Sequence, residues 1–347
     1  ITGFITTNHN EILNSSIIYV AIPHSDGSFE HDLYQFIVDN KYNGILLCED
    51  VWSSKQLRDN FWSIVKPEHK RDLTKSLDMG AIMLSPDNKN YLNNSDWTLV
   101  TAYFDLTMYS DKTEQYRAKE YYFAHSLGAL SLPYNLVIYC DESSLSIIKL
   151  LRPSHLHNKT MFIVDNFDEL KFVGHDGYHD INFKIYRDII VHNRKMKPYQ
   201  FDPRNTASYY LFCMARYLLL KRTITTNPFN STHFAWINIC IERMGYKNLL
   251  NLDDALSLHR DRFSTCYIDY IPPSLIDNLP VYFQRGLCSM CSGFFTGNHD
   301  YMYRVCHLIE SQFLEYLEKG YGHADEQLYS PVYFKHPDLF EHYYGDY

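Results

Sequence analysis

The feature that most constrains the fold is an alternation of short apolar runs with amphipathic stretches, which begins at Trp97. The apolar runs have the length and β-rich content of buried strands, and they span 98–106, 135–139 and 161–165. Apolar residues at helical spacing predict helices around 113–128, over 143–151 and over 206–221. Such alternation predicts an α/β, Rossmann-like fold, in which helices flank a mainly parallel sheet with right-handed crossovers. In such sheets, ligands bind where strands end and loops begin.

Further elements are predicted on both sides of this region. Toward the end of the chain, residues 233–241 and 264–271 have strand character, and 298–319 is predicted to form one long helix. Before it, a strand, a helix and a strand are predicted over 16–51, followed by a helical stretch over 52–65.

A polar stretch over 85–96 that contains Pro86 separates these two parts of the chain. We therefore expect a small N-terminal α/β region over 1–94, of unknown role, and a main domain over 95–347.

The net charge, the apolar runs and the cysteines limit which partners and which cellular location we expect. The formal net charge of −9 argues against a general nucleic-acid-binding protein. No apolar run approaches the roughly 18 residues of a membrane span, and no basic and then apolar leader opens the sequence. Several of the eight cysteines lie inside apolar runs, which predicts buried thiols and therefore a reducing, cytoplasmic location.

Several common enzyme motifs are missing from the sequence. It contains no Gly-x-Gly-x-x-Gly after a strand, no Walker loop, no His-Glu-x-x-His and no Gly-x-Ser-x-Gly. Their absence removes the most common dinucleotide, P-loop, zinc-protease and esterase interpretations.

Two groups of residues have the composition of metal ligands. Cys288 and Cys291, with His299, Cys306 and His307 downstream, could bind zinc, but the second half of such a site is poorly formed and two thiols in a buried segment are the simpler explanation. The loops with His175, His179 and Asp180, and with His24, Asp26 and Glu30 to Asp32, could hold a metal for phosphoester hydrolysis. The alternative is that they are solvated polar loops.

Two acidic sites could carry chemistry. Asp141 and Glu142 follow a predicted strand, where a carboxylate can contact a ribose hydroxyl or nucleobase, although they also suit the start of a helix. Asp325 and Glu326, next to His323, could supply a general base or a metal ligand, or could complement a helix dipole.

A set of cations could receive a diphosphate at the crevice where strands end, or could form a solvated basic face. Its members are Lys195, Lys197, Arg204 and Arg216.

Five ordered blocks of the sequence resemble the HtrL/YibB (WlaTC/HtrL) family of bacterial proteins regarded as glycosyltransferases. The blocks are 99–105, 227–238, 292–298, 325–333 and 338–346. Together they extend the resemblance over 97–347, which is far more specific than one short motif. Residues 1–94 are not covered by it.

The resemblance implies a GT-A-like fold that binds a nucleotide-sugar donor and transfers the sugar to a hydroxyl of a glycan or other acceptor. On that basis Thr101, Ala102 and Tyr103 close the first strand over the nucleotide, and Asp141 also lies near the donor. The segment with Trp236 and Asn238 corresponds to the strand that presents the metal-binding acidic motif.

The resemblance also assigns roles to two later segments. Gly293 to Gly297, with Phe295 between them, is expected as a loop on the acceptor side. Asp325 and Glu326 are expected as the late acidic pair that takes the acceptor proton.

The sequence departs from the family pattern at Asn238, where an Asp is expected. An amide oxygen can bind Mg²⁺ or Mn²⁺ but carries no charge, so the affinity for the metal should be weakened. Either a metal or the basic cluster in its place would then neutralise the leaving diphosphate. Loss of activity is the alternative, which leaves a sugar-binding or nucleotide-binding protein on the same fold; a metal-dependent phosphoesterase is the third interpretation.

Overall fold

The structure is a computed structural model. It describes residues 9–20, 26–49, 55–66, 69–72, 80–84, 94–114, 116–175, 180–197, 204–244, 256, 261–268, 271–285, 288–322, 325–341 and 343–344. The chain divides into two compact units. The smaller contains Ile1–Asn90, Cys266–Pro272 and His342–Tyr347, and the larger contains Tyr91–Thr265 and Pro273–Glu341. None of the described helices is both long and apolar enough to cross a membrane.

The smaller unit contains a four-stranded sheet in the order β1-β2-β4-β3. Its strands are β1 (Ile17–Val20), β2 (Ile45–Cys48), β3 (Lys70–Asp72) and β4 (Gly80–Met83). Its described helices are α1 (His9–Asn14), α2 (Ser28–Asp39) and α3 (Lys55–Leu57), the last continuing into a π-helical turn over Arg58–Trp62. β1 and β2 are parallel and α2 connects them, so the predicted strand–helix–strand unit over 16–51 is confirmed.

A second sheet is mixed and mainly parallel, with the order β9-β10-β8-β5-β6-β7, and its strands from β10 to β7 lie in the larger unit. Its strands are β5 (Trp97–Tyr103), β6 (Asn135–Cys140), β7 (Thr160–Val164), β8 (His233–Ile237), β9 (Ser264–Tyr267) and β10 (Met290–Asn298). β8, β5, β6 and β7 are parallel, whereas β10 is antiparallel to β8. A short strand, β11 (Tyr343–Tyr344), pairs with Cys266 and Tyr267. The predicted α/β fold is therefore confirmed.

Helices flank this sheet. They are α4 (Lys119–Ala124), α5 (Leu127–Leu130), α6 (Glu142–Leu151), α7 (Phe183–Met196), α8 (Ala207–Thr226), α9 (Pro273–Ile276), α10 (Leu279–Arg285), α11 (His299–Glu318) and α12 (Tyr329–Lys335). The central helix α8 packs against β5, β8 and α11, and most of its residues are buried. The hydroxyl of Thr206 caps its first turn by accepting from the amide of Tyr209, and Asn227 ends it in the left-handed conformation.

The order of the strands places a crevice between β5 and β8. From β5 the chain continues to β6 and then β7 on one side, and it later returns to place β8 on the other side of β5. The connections after β5 and β8 therefore lead away from each other at the carboxyl ends of these strands. Such a reversal of strand order is where α/β sheets bind ligands.

The segment from Gly293 to Gly297, predicted as a loop, is instead the middle of β10. Its glycines serve close packing rather than a turn. A Cβ at Gly297 would lie 3.2 Å from the carbonyl oxygen of Arg262, and a Cβ at Gly293 would lie 3.2 Å from Nδ2 of Asn238. The prediction was wrong because glycine also marks places where a neighbouring backbone or side chain comes close.

Three other predicted elements are shorter or divided in the structure. The helix predicted around 113–128 consists of α4 and α5, and the strand predicted over 264–271 ends at Tyr267. The strand predicted over 233–241 ends at Ile237, because Asn238 bonds to the Gly293 carbonyl and then accepts from the amide of Ile241 in a turn.

Candidate active site

A pocket lies at the carboxyl ends of β5 and β8, at the reversal of strand order. It is partly open to solvent. Four segments line it: 102–107 after β5, Tyr116 to Tyr122 before and in α4, α8, and 238–243 after β8. All of these segments belong to the larger unit.

The charged groups that line the pocket are mostly cationic. Arg117, Arg216 and Arg243 line it, whereas Asp105 is the one carboxylate among the described lining residues. Asp325 pairs with Arg216 from outside the lining, so Arg117 and Arg243 are the cations that favour an anion in the pocket. Guanidinium binds phosphate oxygens in a bidentate manner, which suits a phosphate or diphosphate group.

Arg216 is the most rigidly held of these cations. Its side chain is only 3% exposed, and its NH1 donates to the carbonyl oxygen of Ser292 at 2.8 Å and lies 3.0 Å from Oδ2 of Asp325. Burial would lower the pKa of Arg216, but the Asp325 carboxylate raises it well above its ordinary value. Its Nε has no hydrogen-bond partner among the described residues. A buried donor of this kind at a pocket wall is suited to a ligand oxygen.

Asp105 and Asp141 connect the ends of β5 and β6. The amide of Asp105 donates to Oδ2 of Asp141 at 2.7 Å, and Oδ1 of Asp141 accepts from Ser143 at 2.6 Å. Burial raises the pKa of Asp141, but hydrogen bonds from Ser143, Ser144 and the Asp105 amide outweigh it and lower the pKa. Asp141 is therefore committed to local structure, in agreement with the helix-start interpretation.

Asn238 faces the pocket from the end of β8, and its amide orientation is fixed by a neighbour. Nε1 of Trp236 lies 3.0 Å from Oδ1 of Asn238. Because an indole N–H can only donate, the amide oxygen must face it. Nδ2 of Asn238 faces Gly293 on β10.

Aromatic residues form much of the remaining wall. Tyr103, Tyr116, Tyr122 and Tyr209 line the pocket together with Phe104 and Phe212. The rings of Tyr103 and Tyr122 lie 5.7 Å apart, and burial raises the pKa of both hydroxyls. Burial also raises the pKa of Tyr116 to about 12. These hydroxyls stay protonated at neutral pH, so they can donate to a ligand while the rings provide a surface for stacking.

The structure brings together part of the predicted donor site. Ala102, Tyr103, Arg216 and Asn238 line the pocket. Asp141 lies next to it through Asp105. Three further residues were predicted here but are placed elsewhere: Thr101 is fully buried within β5, and Lys195 and Arg204 are exposed.

The predicted catalytic and acceptor residues lie behind the pocket wall. Asp325 is buried against Arg216, and Oε1 of Glu326 accepts from the hydroxyl of Ser292 at 2.9 Å. Trp236 is buried in β8 with its ring 5.8 Å from the Arg216 guanidinium. Phe295 is buried in β10 and stacks with Tyr217. His323 lies outside the described residues, and its predicted role stays a prediction.

Three lining residues, Asp105, Arg117 and Arg243, were missed by the sequence-based prediction. Asp105 carried a signal, because it is a carboxylate that follows a predicted strand and ends the block 99–105. Arg117 and Arg243 carried none, since each lies in an irregular segment whose course the sequence pattern does not specify.

The sequence profile described as "Bacterial protein of unknown function (HtrL_YibB)" matches residues 95–347. The chain belongs to the HtrL_YibB family. All pocket-lining residues fall within the matched range, so the candidate site is part of the HtrL_YibB region.

A solved structure and the curated proteins were also compared with this HtrL_YibB chain. It is similar to the crystal structure of mouse Xyloside xylosyltransferase 1 in the apo form, with a TM-score of 0.34 and 14% identity. That similarity covers 71% of this chain and 84% of the mouse chain. No curated protein gives a significant match.

The oxygen ligands of the HtrL_YibB pocket are a poor set for Mn²⁺ or Mg²⁺, which bind oxygen groups. Oδ1 of Asp105 accepts from the amide and hydroxyl of Thr107, and both oxygens of Asp141 also accept hydrogen bonds. The amide oxygen of Asn238 accepts from Trp236. Only Oδ2 of Asp105 has no such partner, and its surroundings are cationic. A divalent cation would therefore meet one carboxylate oxygen that accepts no hydrogen bond from the described residues.

A separate group of possible metal ligands in the HtrL_YibB region consists of His175, His307 and Glu310. The ammonium group of Lys221 already contacts two of its three members. Its Nζ lies 2.6 Å from Oε2 of Glu310, 2.9 Å from the Val173 carbonyl oxygen and 3.4 Å from Nδ1 of His307. Three acceptors satisfy the three donors of this ammonium, so the group forms a buried ion pair.

The structure gives little support to the other metal interpretations. Within the described residues, the only group of this kind excludes Cys288 and Cys291, so the zinc alternative is not supported. His24 and His179, from the loops considered for phosphoester hydrolysis, lie outside the described residues.

Proposed function

We propose that this protein is a glycosyltransferase of the GT-A type that takes its sugar from a nucleotide-sugar donor. The sugar is transferred to a hydroxyl of a glycan or other acceptor. The HtrL_YibB family is described as being of unknown function, so membership of it is compatible with this proposal but does not by itself indicate an activity.

The observation that carries the proposal is the pocket at the reversal of strand order between β5 and β8. It combines a position that α/β folds use for nucleotides with three arginines and a wall of tyrosines. The arginines suit a diphosphate, and the tyrosine rings suit a base or sugar. One ligand class that needs all of these features together is a sugar nucleotide.

The chemistry that we propose uses the groups at the pocket wall. The bond from the anomeric carbon to the diphosphate oxygen breaks, and the arginines stabilise the negative charge that develops on that oxygen. The acceptor oxygen forms a new bond to the anomeric carbon, and its proton passes to a carboxylate. Asp105 suits this role because it lines the pocket, whereas Asp325 acts through Arg216 as a positioning residue.

The test is a panel of UDP-, GDP-, CMP- and dTDP-sugars in which release of the free nucleotide is measured. We expect turnover of one nucleotide class, and we expect Asp105→Asn to reduce kcat at least a hundredfold without moving the melting temperature. Glu114→Gln is the control, since this exposed acid lies near in sequence but does not line the pocket. Binding of a donor without turnover would contradict the proposal and favour the inactive sugar-binding protein.

A further inference from the structure

We infer that the pocket binds the diphosphate of its donor through guanidinium groups alone, with no divalent cation. This inference rests on the proposed function, because it concerns the same site. It goes further because it assigns neutralisation of the diphosphate charge to Arg117, Arg216 and Arg243.

The first support is the way Arg216 is held. Asp325 and the Ser292 carbonyl fix its NH1 from behind the wall, and its Nε remains without a partner among the described residues. A guanidinium fixed in this way loses little conformational entropy when it binds an anion. Because Asp325 balances its charge, Arg216 contributes a fixed hydrogen-bond donor, and the excess positive charge of the pocket lining comes from Arg117 and Arg243.

The second support is that Arg117 and Arg243 converge from separate segments. Arg117 precedes α4, and Arg243 lies in the turn Ile241–Met244 after β8. Burial raises the pKa of Tyr122 and of Cys240. The positive charges of Arg117 and Arg243 partly offset this rise at both residues. Both arginines line the same pocket, as two clamps on one diphosphate would require.

The third support is the electrostatic setting for a cation. Oδ2 of Asp105, which accepts no hydrogen bond from the described residues, would have to hold the ion in a pocket that Arg117 and Arg243 also line. Asn238 adds no charge, and its amide oxygen is engaged by Trp236. Asp325 balances the charge of Arg216, so the repulsion that a bound cation meets comes from Arg117 and Arg243 and opposes the attraction by Asp105.

The experiment measures binding of UDP, GDP, ADP and CDP by calorimetry, each in excess EDTA and again with Mn²⁺. We expect the diphosphate that binds to do so with the same Kd, within about twofold, in both conditions. Arg117→Gln and Arg243→Gln should each weaken binding in EDTA about tenfold or more. Arg304→Gln is the matched control, because this exposed arginine on α11 is outside the pocket and should leave Kd unchanged.

Melting temperatures of the unliganded variants separate a folding defect from a binding defect. If an arginine variant fails to fold, the corresponding lysine variant keeps the charge but not the bidentate geometry, and we expect it to bind with intermediate affinity. Binding that requires Mn²⁺, or arginine variants that bind as the parent does, would overturn the inference.

The inference and the proposed function can fail separately. Metal-free binding of a diphosphate with no turnover of any sugar donor keeps the inference and rejects the transferase. Sugar transfer that stops in EDTA and returns with Mn²⁺ keeps the transferase and rejects the inference.

Discussion

At the scale of single residues, the pair of Arg216 and Asp325 links stability to the pocket. Both side chains are nearly buried, and each is the other's charge partner. A buried ion pair adds little net stability, but removal of one partner leaves an uncompensated charge. The arginine that lines the pocket therefore depends on a carboxylate that a ligand never touches.

We expect Asp325→Asn to lower the free energy of unfolding by about 3 kcal/mol, because it leaves Arg216 buried without its charge partner. The double variant with Arg216→Met should be less destabilised than the sum of the two single variants. Urea unfolding of all four proteins gives the coupling energy. Strict additivity would show that the two charges do not interact.

Asn238 offers a second test at this scale. Asn238→Asp places a carboxylate beside the arginines, so it should weaken nucleoside diphosphate binding in EDTA by about tenfold. Mn²⁺ should then restore part of the affinity, which it does not do in the parent. Calorimetry with and without Mn²⁺ measures both effects. Unchanged binding of the variant in EDTA would mean that position 238 does not face the diphosphate.

The sequence predicted some of the pocket and not the rest, for a physical reason. Ala102, Tyr103, Arg216 and Asn238 lie in or next to regular elements, so their positions follow from the strands and helix that carry them. Arg117 and Arg243 come from irregular segments, and no periodicity states where such segments lead. Asp325 looked like a base because the sequence does not show that Arg216 packs against it.

At the scale of elements, β10 shows how close packing constrains a strand. The Cβ that an alanine would add at Gly297 meets the backbone of Arg262 and Phe263, which cannot move as easily as a side chain. At Gly293 it meets the side-chain amide of Asn238 instead. The two glycines of one strand therefore tolerate substitution differently.

We expect Gly297→Ala to lower the free energy of unfolding by about 1–3 kcal/mol and Gly293→Ala to lower it less. Gly293→Ala should instead alter ligand binding, because it displaces Asn238 at the pocket. Chemical denaturation and calorimetry of the two variants separate these effects. Equal loss of stability at both positions would contradict the packing described for β10.

The elements that the sequence predicted well are those with the strongest periodicity. α8 and α11 are long, and α11 has apolar residues at helical spacing, while β5 and β6 are short apolar runs buried on both faces. The segment 233–241 was predicted as one strand because most of its residues are apolar. The strand ends at Ile237 because the amide of Ile241 donates to the carbonyl oxygen of Asn238 in a turn, which the apolar pattern does not show.

At the scale of the whole molecule, the eight cysteines report on folding. All of them lie in the described residues and none forms a disulfide. Six are buried, and burial raises the pKa of Cys288 to about 12 and that of Cys291 to about 11. Thiolate, the reactive form, is therefore scarce in the native protein.

We expect a thiol reagent to label the native protein slowly at pH 8, and to label eight thiols per chain once the protein is unfolded without reductant. A spectrophotometric thiol count before and after denaturation makes the measurement. A count below eight in the unfolded chain would reveal a disulfide and contradict this structure.

Acid should destabilise the molecule through His307. Burial, then His175 and Lys221, lower its pKa to about 4, whereas the ordinary value is 6.5. Between these values the unfolded chain binds more protons, so the free energy of unfolding falls as the pH falls from 6.5 to 4. His307→Gln should reduce that slope in urea titrations, and the exposed His192→Gln should not. An identical slope in His307→Gln would show that another group controls the transition.

The reversal of strand order between β5 and β8 also affects when the crevice can exist. Thr98 and Ser231, which bond across these two strands, are 133 positions apart in the sequence. The chain must complete β6, β7 and the five helices α4 to α8 before β8 can dock beside β5, so a partly folded chain has no crevice. A ligand that binds only the completed crevice shifts the folding equilibrium toward the folded state, and the shift grows with the ligand concentration. The concentration of that ligand in the cell would then affect the amount of folded protein as well as its rate of turnover.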